Sequence, residues 1–101
     1  MIMIYIPCSC QEEAEKLALY LLEKSLVGCA NIFPSLSLYK DHDQVQKTTE
    51  AILIVKTAKA LAHEVVKELE AVHSYDTPCI VHLDATANAA YKKWLYAQVH
   101  V

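Results

Sequence analysis

Three short segments of this sequence are almost continuously apolar, and they constrain the fold more than any other feature. They lie at residues 2–6, 51–55 and 79–83, and each has the length of a β-strand. A sheet with one face in water alternates apolar and polar residues, whereas these segments place apolar residues on both faces. Both faces of the predicted sheet must therefore be covered.

Two long amphipathic helices are predicted between these strands, each with apolar residues at helical spacing. Ser9 and Glu12 match a capping box at the start of the first helix, which is expected to end near Val27–Gly28. Thr57 is expected to cap the second helix. A shorter third helix is predicted over Ala89–Ala97, after an Asn88 cap.

The segments between the helices complete the order strand, helix, strand, strand, helix, strand. Cys29–Tyr39 is predicted as a strand with a bend at Pro34, Lys40–Gln44 as a hairpin tip, and His73–Pro78 as a turn. This order predicts one α+β domain over residues 1–101: a ferredoxin-like βαββαβ sandwich with a short extra C-terminal helix. Because its two main helices cover only one face, we infer an oligomer in which the sheets face one another.

Composition disfavours several classes of function. All nine basic residues are lysine, so the chain has no guanidinium group for bidentate contacts with phosphate or guanine. Gly28 is the single glycine, which leaves no glycine-rich phosphate loop. The apolar N-terminus reaches Pro7 after six residues, too short for a signal sequence or a membrane span. We therefore expect a cytoplasmic protein with free thiols, and neither nucleic acid nor membrane as a partner.

Five segments together resemble the CutA family of small divalent-cation tolerance proteins, in the family's order and over nearly the whole chain. They are L-V-G-C-A-N-I-F-P at Leu26–Pro34, S-L-Y at Ser37–Tyr39, I-V-K-T at Ile54–Thr57, H-S-Y-D-T-P at His73–Pro78, and N-A-A-Y-K-K-W-L at Asn88–Leu95. The resemblance implies a ferredoxin-like fold assembled as a tight homotrimer in the cytoplasm. It also implies a link to copper tolerance, no obligatory cofactor and no established enzymatic reaction.

The family's trimer is similar to that of the PII signalling proteins, so the resemblance also suggests a regulatory role. This sequence departs from the family pattern at three places. Asp41–Asp43 replaces the usual Trp and Gly of the hairpin, Ser74 replaces a Pro, and Cys79 replaces a Glu. A thiol cannot serve as the hard ligand or ion-pair partner that a carboxylate would provide at that position.

Four residues are candidate metal ligands, each with a structural alternative. His73 matches the family's His, and imidazole suits copper and zinc, but it could instead cap helix carbonyls or bond across a subunit cleft. Cys29 matches the family's Cys and could be a soft copper ligand or a packed apolar residue. Cys8 and Cys10 form a C-x-C pair that suits Cu⁺, or are two ordinary thiols beside a helix start.

Lys56, Tyr75, Tyr91 and Trp94 match characteristic polar and aromatic positions of the family. They could line a cleft between subunits for a small anionic or aromatic ligand, or hold the subunit interface together. No nucleophile–base pair can be argued, so we do not expect an enzyme. The leading hypothesis is weak copper binding in metal tolerance; the alternatives are a PII-like sensor of a small metabolite and a trimeric scaffold.

Overall fold

A computed structural model describes residues 1–100 as a four-stranded antiparallel sheet with two helices packed on one face. The strands are β1 (Ile2–Cys8), β2 (Cys29–Asp41), β3 (Gln44–Thr57) and β4 (Val81–Asp84). The helices are α1 (Gln11–Glu23), α2 (Ala62–Val72) and α3 (Ala89–Ala97), and a single 3-10 turn, Lys59–Leu61, precedes α2. The strand order β2-β3-β1-β4 confirms the predicted ferredoxin-like sandwich. None of the helices in residues 1–100 is long and apolar enough to cross a membrane.

The core lies between α1, α2 and one face of the sheet. Alternate residues of β1, namely Ile2, Ile4, Ile6 and Cys8, are buried there, because successive side chains of a strand point to opposite faces. They pack with buried residues of β3, α1 and α2: Leu53, Val55, Leu17, Leu21, Val65 and Leu69. Burial of each large side chain contributes about 1.5–3 kcal/mol, so this layer dominates the stability of the fold.

The other sheet face carries large apolar side chains that remain partly in water. Tyr5 is 37% exposed, Phe33 44%, Val81 42% and Leu83 55%. Helix α3 covers only one end of this face, where Lys56 Nζ lies 5.3 Å from the centre of the Tyr91 ring. The apolar strand patterns therefore reflect a second, largely uncovered apolar face, which we call the open face.

Two predicted helix caps are wrong. The backbone and hydroxyl of Ser9 both donate to Glu13 Oε1, at 2.8 and 2.9 Å, instead of forming a box with Glu12. Thr57 lies at the end of β3 rather than at a helix start, and its buried hydroxyl donates to the Leu26 carbonyl at 2.6 Å. Both residues join separate elements of the fold, a role that local sequence spacing does not reveal.

Helix α1 ends at Glu23, earlier than the predicted Val27–Gly28. Ser25 takes a positive φ of 55°, and its N–H donates to the Leu22 carbonyl at 3.0 Å. The next N–H, of Leu26, donates to the Leu21 carbonyl at 3.0 Å, which completes a Schellman motif. Serine therefore occupies the left-handed position that the sequence pattern assigned to glycine.

The β2–β3 hairpin is longer than predicted, because β3 begins at Gln44 rather than at residue 51. Its turn residues His42 and Asp43 have φ values of 50° and 64°, as a two-residue type I′ turn requires. The added residues of β3, 44–50, are exposed or half-buried and almost all polar, so they show no apolar alternation. Strand β1 runs through Pro7, which is tolerated because β4 pairs with β1 only up to Tyr5. Strand β4 begins at Val81 rather than at Cys79.

Gly28 is required by packing, and we expect Gly28→Ala to lower the free energy of unfolding by about 1–3 kcal/mol. A Cβ at this position would lie 2.7 Å from Cδ1 of the buried Leu95 and 3.3 Å from the Leu95 carbonyl oxygen, so the Leu95 side chain would have to repack. Ser25→Gly is the matched control and should stabilise, since glycine adopts a positive φ without strain. Denaturant unfolding tests both variants, and an unchanged stability of Gly28→Ala would contradict this packing role.

Candidate metal centre

Cys8, Glu13 and His73 meet at one end of the sheet, where three elements begin or end. Cys8 is the last residue of β1, Glu13 lies in the first turn of α1, and His73 directly follows α2. One ligand atom from each, the Cys8 Sγ, a Glu13 oxygen and a His73 ring nitrogen, lies within 4.8 Å of the other two. We call these three residues the CEH cluster.

Glu13 is the charged member of the CEH cluster. Burial of its carboxyl group opposes ionisation, but hydrogen bonds from Ser74 and Ser9 outweigh that effect and lower its pKa to about 2. Oε1 accepts from the backbone and hydroxyl of Ser9, and Oε2 accepts from the Ser74 backbone N–H at 3.0 Å. Glu13 is therefore ionised at neutral pH and holds two segments of chain together.

Cys8 is a buried, neutral thiol. Its removal from water, together with the nearby negative charge of Glu13, raises its pKa to about 12. The thiol donates to the Ile6 carbonyl at 3.5 Å. Cys8 can act as a thiolate ligand only if a bound cation replaces its proton.

Both ring nitrogens of His73 make hydrogen bonds. The Tyr75 backbone N–H donates to Nδ1 at 3.0 Å, so Nδ1 carries the lone pair of the neutral ring. The proton then lies on Nε2, which donates to the Pro7 carbonyl at 2.9 Å. A metal ion at His73 must therefore displace an existing hydrogen bond.

Thiol, carboxylate and imidazole groups together form a donor set that proteins use for zinc and copper. A surface groove of about 720 Å³ reaches Glu13 from solvent and is lined by Glu12, Leu17, Tyr20, Val72 and Ser74. Sequence patterns did not single out Glu13, because it is one of several acidic residues that suit the start of a helix. Its spacing of four from Ser9 does not distinguish it either, since the S-x-x-E pattern points to Glu12.

The other two predicted thiol ligands lie apart from the CEH cluster. Cys10 is exposed at the start of α1, in a separate groove of about 440 Å³ that also includes Phe33 and Thr49. Cys29 begins β2 and pairs with Lys56, toward the opposite end of the sheet. Within residues 1–100, the CEH cluster is the one group of three metal-ligating side chains so close together.

The four predicted cleft residues separate into two groups. Lys56, Tyr91 and Trp94 come together beside Cys29, with the Tyr91 and Trp94 ring centres 5.7 Å apart. The Tyr91 hydroxyl is buried without a hydrogen-bond partner among residues 1–100, and burial raises its pKa. Tyr75 lies next to the CEH cluster instead, and its hydroxyl donates to Glu50 at 2.7 Å. Burial, followed by this bond to Glu50, raises the pKa of Tyr75.

The model of the family described as CutA1 divalent ion tolerance protein matches residues 2–98. The chain belongs to the CutA1 family. A divalent-cation tolerance protein CutA from Archaeoglobus fulgidus is 47% identical to it over 77 residues, 76% of each chain. The resemblance stated from the five sequence segments is thereby confirmed.

Solved CutA structures share the fold over the full chain. A point variant of CutA1 from Pyrococcus horikoshii superposes with a TM-score of 0.97 at 31% identity, covering 100% of both chains. A structure described as the periplasmic divalent cation tolerance protein CutA from Archaeoglobus fulgidus gives a TM-score of 0.95 at 38% identity, covering 99% of this chain and 100% of that one. This CutA1-family chain therefore shares the fold of these CutA structures.

Proposed function

We propose that this CutA1-family chain contributes to divalent-metal tolerance by binding a metal ion weakly at the CEH cluster, with copper among the ions it takes. The observation that carries the proposal is the convergence of Cys8, Glu13 and His73, whose ligand atoms lie within 4.8 Å. Relatives from Archaeoglobus fulgidus and Pyrococcus horikoshii are named divalent-cation tolerance proteins, which supports the same role.

We expect binding to be weak, because the ligands must lose a proton and hydrogen bonds before they can coordinate a metal ion. The Cys8 thiol, with a pKa of about 12, must release its proton to the solvent. The His73 ring must break a hydrogen bond, and the Glu13 carboxylate already accepts three. Because binding releases a proton, the apparent affinity should rise with pH.

We further propose that the chain works as a cytosolic homotrimer without an obligatory cofactor. Support for assembly comes from the open face, whose exposed aromatic and aliphatic side chains form the kind of apolar patch that marks an interface. Support for a reducing compartment comes from its four cysteines, all free thiols.

Competition with a chromogenic chelator, under reducing and oxygen-free conditions, measures the affinities for Cu⁺ and Zn²⁺. We expect Cys8→Ser and His73→Gln to weaken binding by about tenfold or more, as loss of a metal-site interaction does. Cys10→Ser and Cys29→Ser remove the same donor atom outside the cluster, so their affinities should match the wild type. Loss of binding in those two variants alone would assign the metal to the other thiols, and absence of binding in the wild type would contradict the proposal.

The second candidate function is a PII-like sensor that binds a small anionic metabolite near Lys56, Tyr91 and Trp94. A specific observation favours it: the Tyr91 hydroxyl is buried and has no hydrogen-bond partner in the described part of the chain, and the Lys56 ammonium lies against the same ring. In this case a metabolite would raise the melting temperature, chelators would leave that rise intact, and Lys56→Ala would abolish it. A purely structural trimeric scaffold would show neither metal nor metabolite binding, and would instead co-purify with a partner protein.

A further inference from the structure

The first residues of the segment between α2 and β4 are bonded to the CEH cluster and to the end of β1. Residues 73–78 contain neither helix nor strand. Three hydrogen bonds join side chains or amides of this segment to the sheet and α1: His73 Nε2 to the Pro7 carbonyl, Ser74 N–H to Glu13, and Tyr75 hydroxyl to Glu50. The His73 N–H also donates to the Leu69 carbonyl of α2, and inside the segment the Tyr75 N–H donates to His73 Nδ1.

A metal ion cannot bind His73 while the Tyr75 amide bond remains. If the ion binds Nδ1, it takes the lone pair that accepts the Tyr75 N–H. If it binds Nε2, the neutral ring must carry its proton on Nδ1, where it would face the Tyr75 N–H donor to donor. Both modes of coordination therefore break the same hydrogen bond.

The carboxylate of Glu13 imposes no such exclusion. It offers about four lone-pair sites, so it can contact an ion and still accept a hydrogen bond from Ser74 or Ser9. The imidazole of His73, with one site on each nitrogen, is thus the group that links metal binding to the conformation of the segment.

We propose that residues 73–75 form a latch that a divalent cation releases: binding at His73 excludes the Tyr75 amide bond, so metal loading loosens the turn that places Tyr75 beside Glu50. This inference rests on the proposed metal site and adds its regulation. The segment borders a groove of about 510 Å³ lined by Pro7, Tyr39, Glu50, Tyr75, Thr77 and Cys79. Metal loading would therefore alter one wall of that groove. The shape of the groove would then depend on whether a metal ion is bound at His73.

Metal binds only to molecules in which the latch is released. The apparent affinity is therefore the intrinsic affinity multiplied by the fraction of molecules in the released state. Weakening the latch outside the ligand set should then tighten binding. Tyr75→Phe removes the hydroxyl bond to Glu50 and keeps the ring that packs 4.7 Å from the His73 ring. We expect it to bind Zn²⁺ about threefold to tenfold more tightly than the wild type. Tyr39→Phe, which removes a hydroxyl from β2 in the same groove, should leave the affinity unchanged.

Amide hydrogen exchange of the full chain with and without Zn²⁺, a redox-inert probe, tests the release directly. We expect faster exchange of the Tyr75 amide in the Zn²⁺-loaded protein, whereas amides of β1 and β3 keep their protection. If Zn²⁺ binds but the Tyr75 amide stays protected and Tyr75→Phe binds no more tightly, the latch is overturned and the metal site stands. If the wild type binds no Zn²⁺ or Cu⁺ at all, the proposed function fails together with the latch.

Discussion

Tyr5→Glu should convert the proposed oligomer into monomers. Tyr5 lies on the open face in the central strand β1, directly between Ile54 of β3 and Val81 of β4 in the strand register. A carboxylate placed there would have to be buried between apolar sheets without a partner, which costs several kcal/mol. The dissociation constant should therefore rise by more than about a hundredfold.

Sedimentation equilibrium at several protein concentrations measures this change. Leu19→Glu is the matched control, because Leu19 is 56% exposed on α1, away from the sheet, and its replacement should leave the assembly intact. Circular dichroism checks that both variants retain the fold. A Tyr5→Glu protein that remains trimeric would show that the open face is not the interface, and a monomeric wild type would contradict assembly through the sheets.

Glu13→Gln should destabilise the fold by about 1–3 kcal/mol at neutral pH, the usual range for loss of a charged hydrogen-bond acceptor. The three donors to this carboxylate belong to Ser9, which directly follows β1, and to Ser74, so Glu13 ties both to α1. The pKa of Glu13 is lowered from 4.5 to about 2 in the folded chain. Its contribution to stability is therefore complete above about pH 4.5 and disappears as the pH falls through 2.

Urea unfolding of wild type and Glu13→Gln at one fixed protein concentration, between pH 7 and pH 2, tests this linkage. The difference in unfolding free energy between the two proteins should shrink across that range. Glu12→Gln changes the neighbouring, exposed carboxylate of the same helical turn and should shift stability by no more than about 0.5 kcal/mol. A Glu13→Gln difference that stays constant down to pH 2 would contradict the role of the ionised carboxylate.

The parts of the fold that could be predicted from the sequence are those in which the spacing of apolar residues indicates a buried face. The apolar segments in β1, β3 and β4 and the stripes of α1 and α2 identify the sandwich. The first half of β3, residues 44–50, was not predicted as a strand, because these residues are almost all polar and show no apolar alternation. The end of α1 was predicted too late in the chain, because a serine and not a glycine occupies the left-handed position after the helix. The hydrogen bonds of the Schellman motif hold the positive φ of Ser25.

Only part of the candidate site could be predicted, for a related reason. His73 and Cys8 were predicted as ligands from their residue types, but only the tertiary structure shows that the end of β1, the first turn of α1 and the end of α2 meet. Glu13 could not be distinguished from the other acidic residues of its helix without that contact. Cys10 follows Cys8 by two residues, yet the turn into α1 leaves Cys10 in solvent and Cys8 in the core.

Native mass spectrometry of the reduced protein, with one equivalent of Cu⁺ or Zn²⁺ per chain, shows directly whether the CEH cluster binds metal. We expect a trimer that carries three metal ions, and trimers of Cys8→Ser and His73→Gln that carry none under the same conditions. A metal-free wild-type trimer, or equal loading of the wild type and both variants, would contradict metal binding at the CEH cluster.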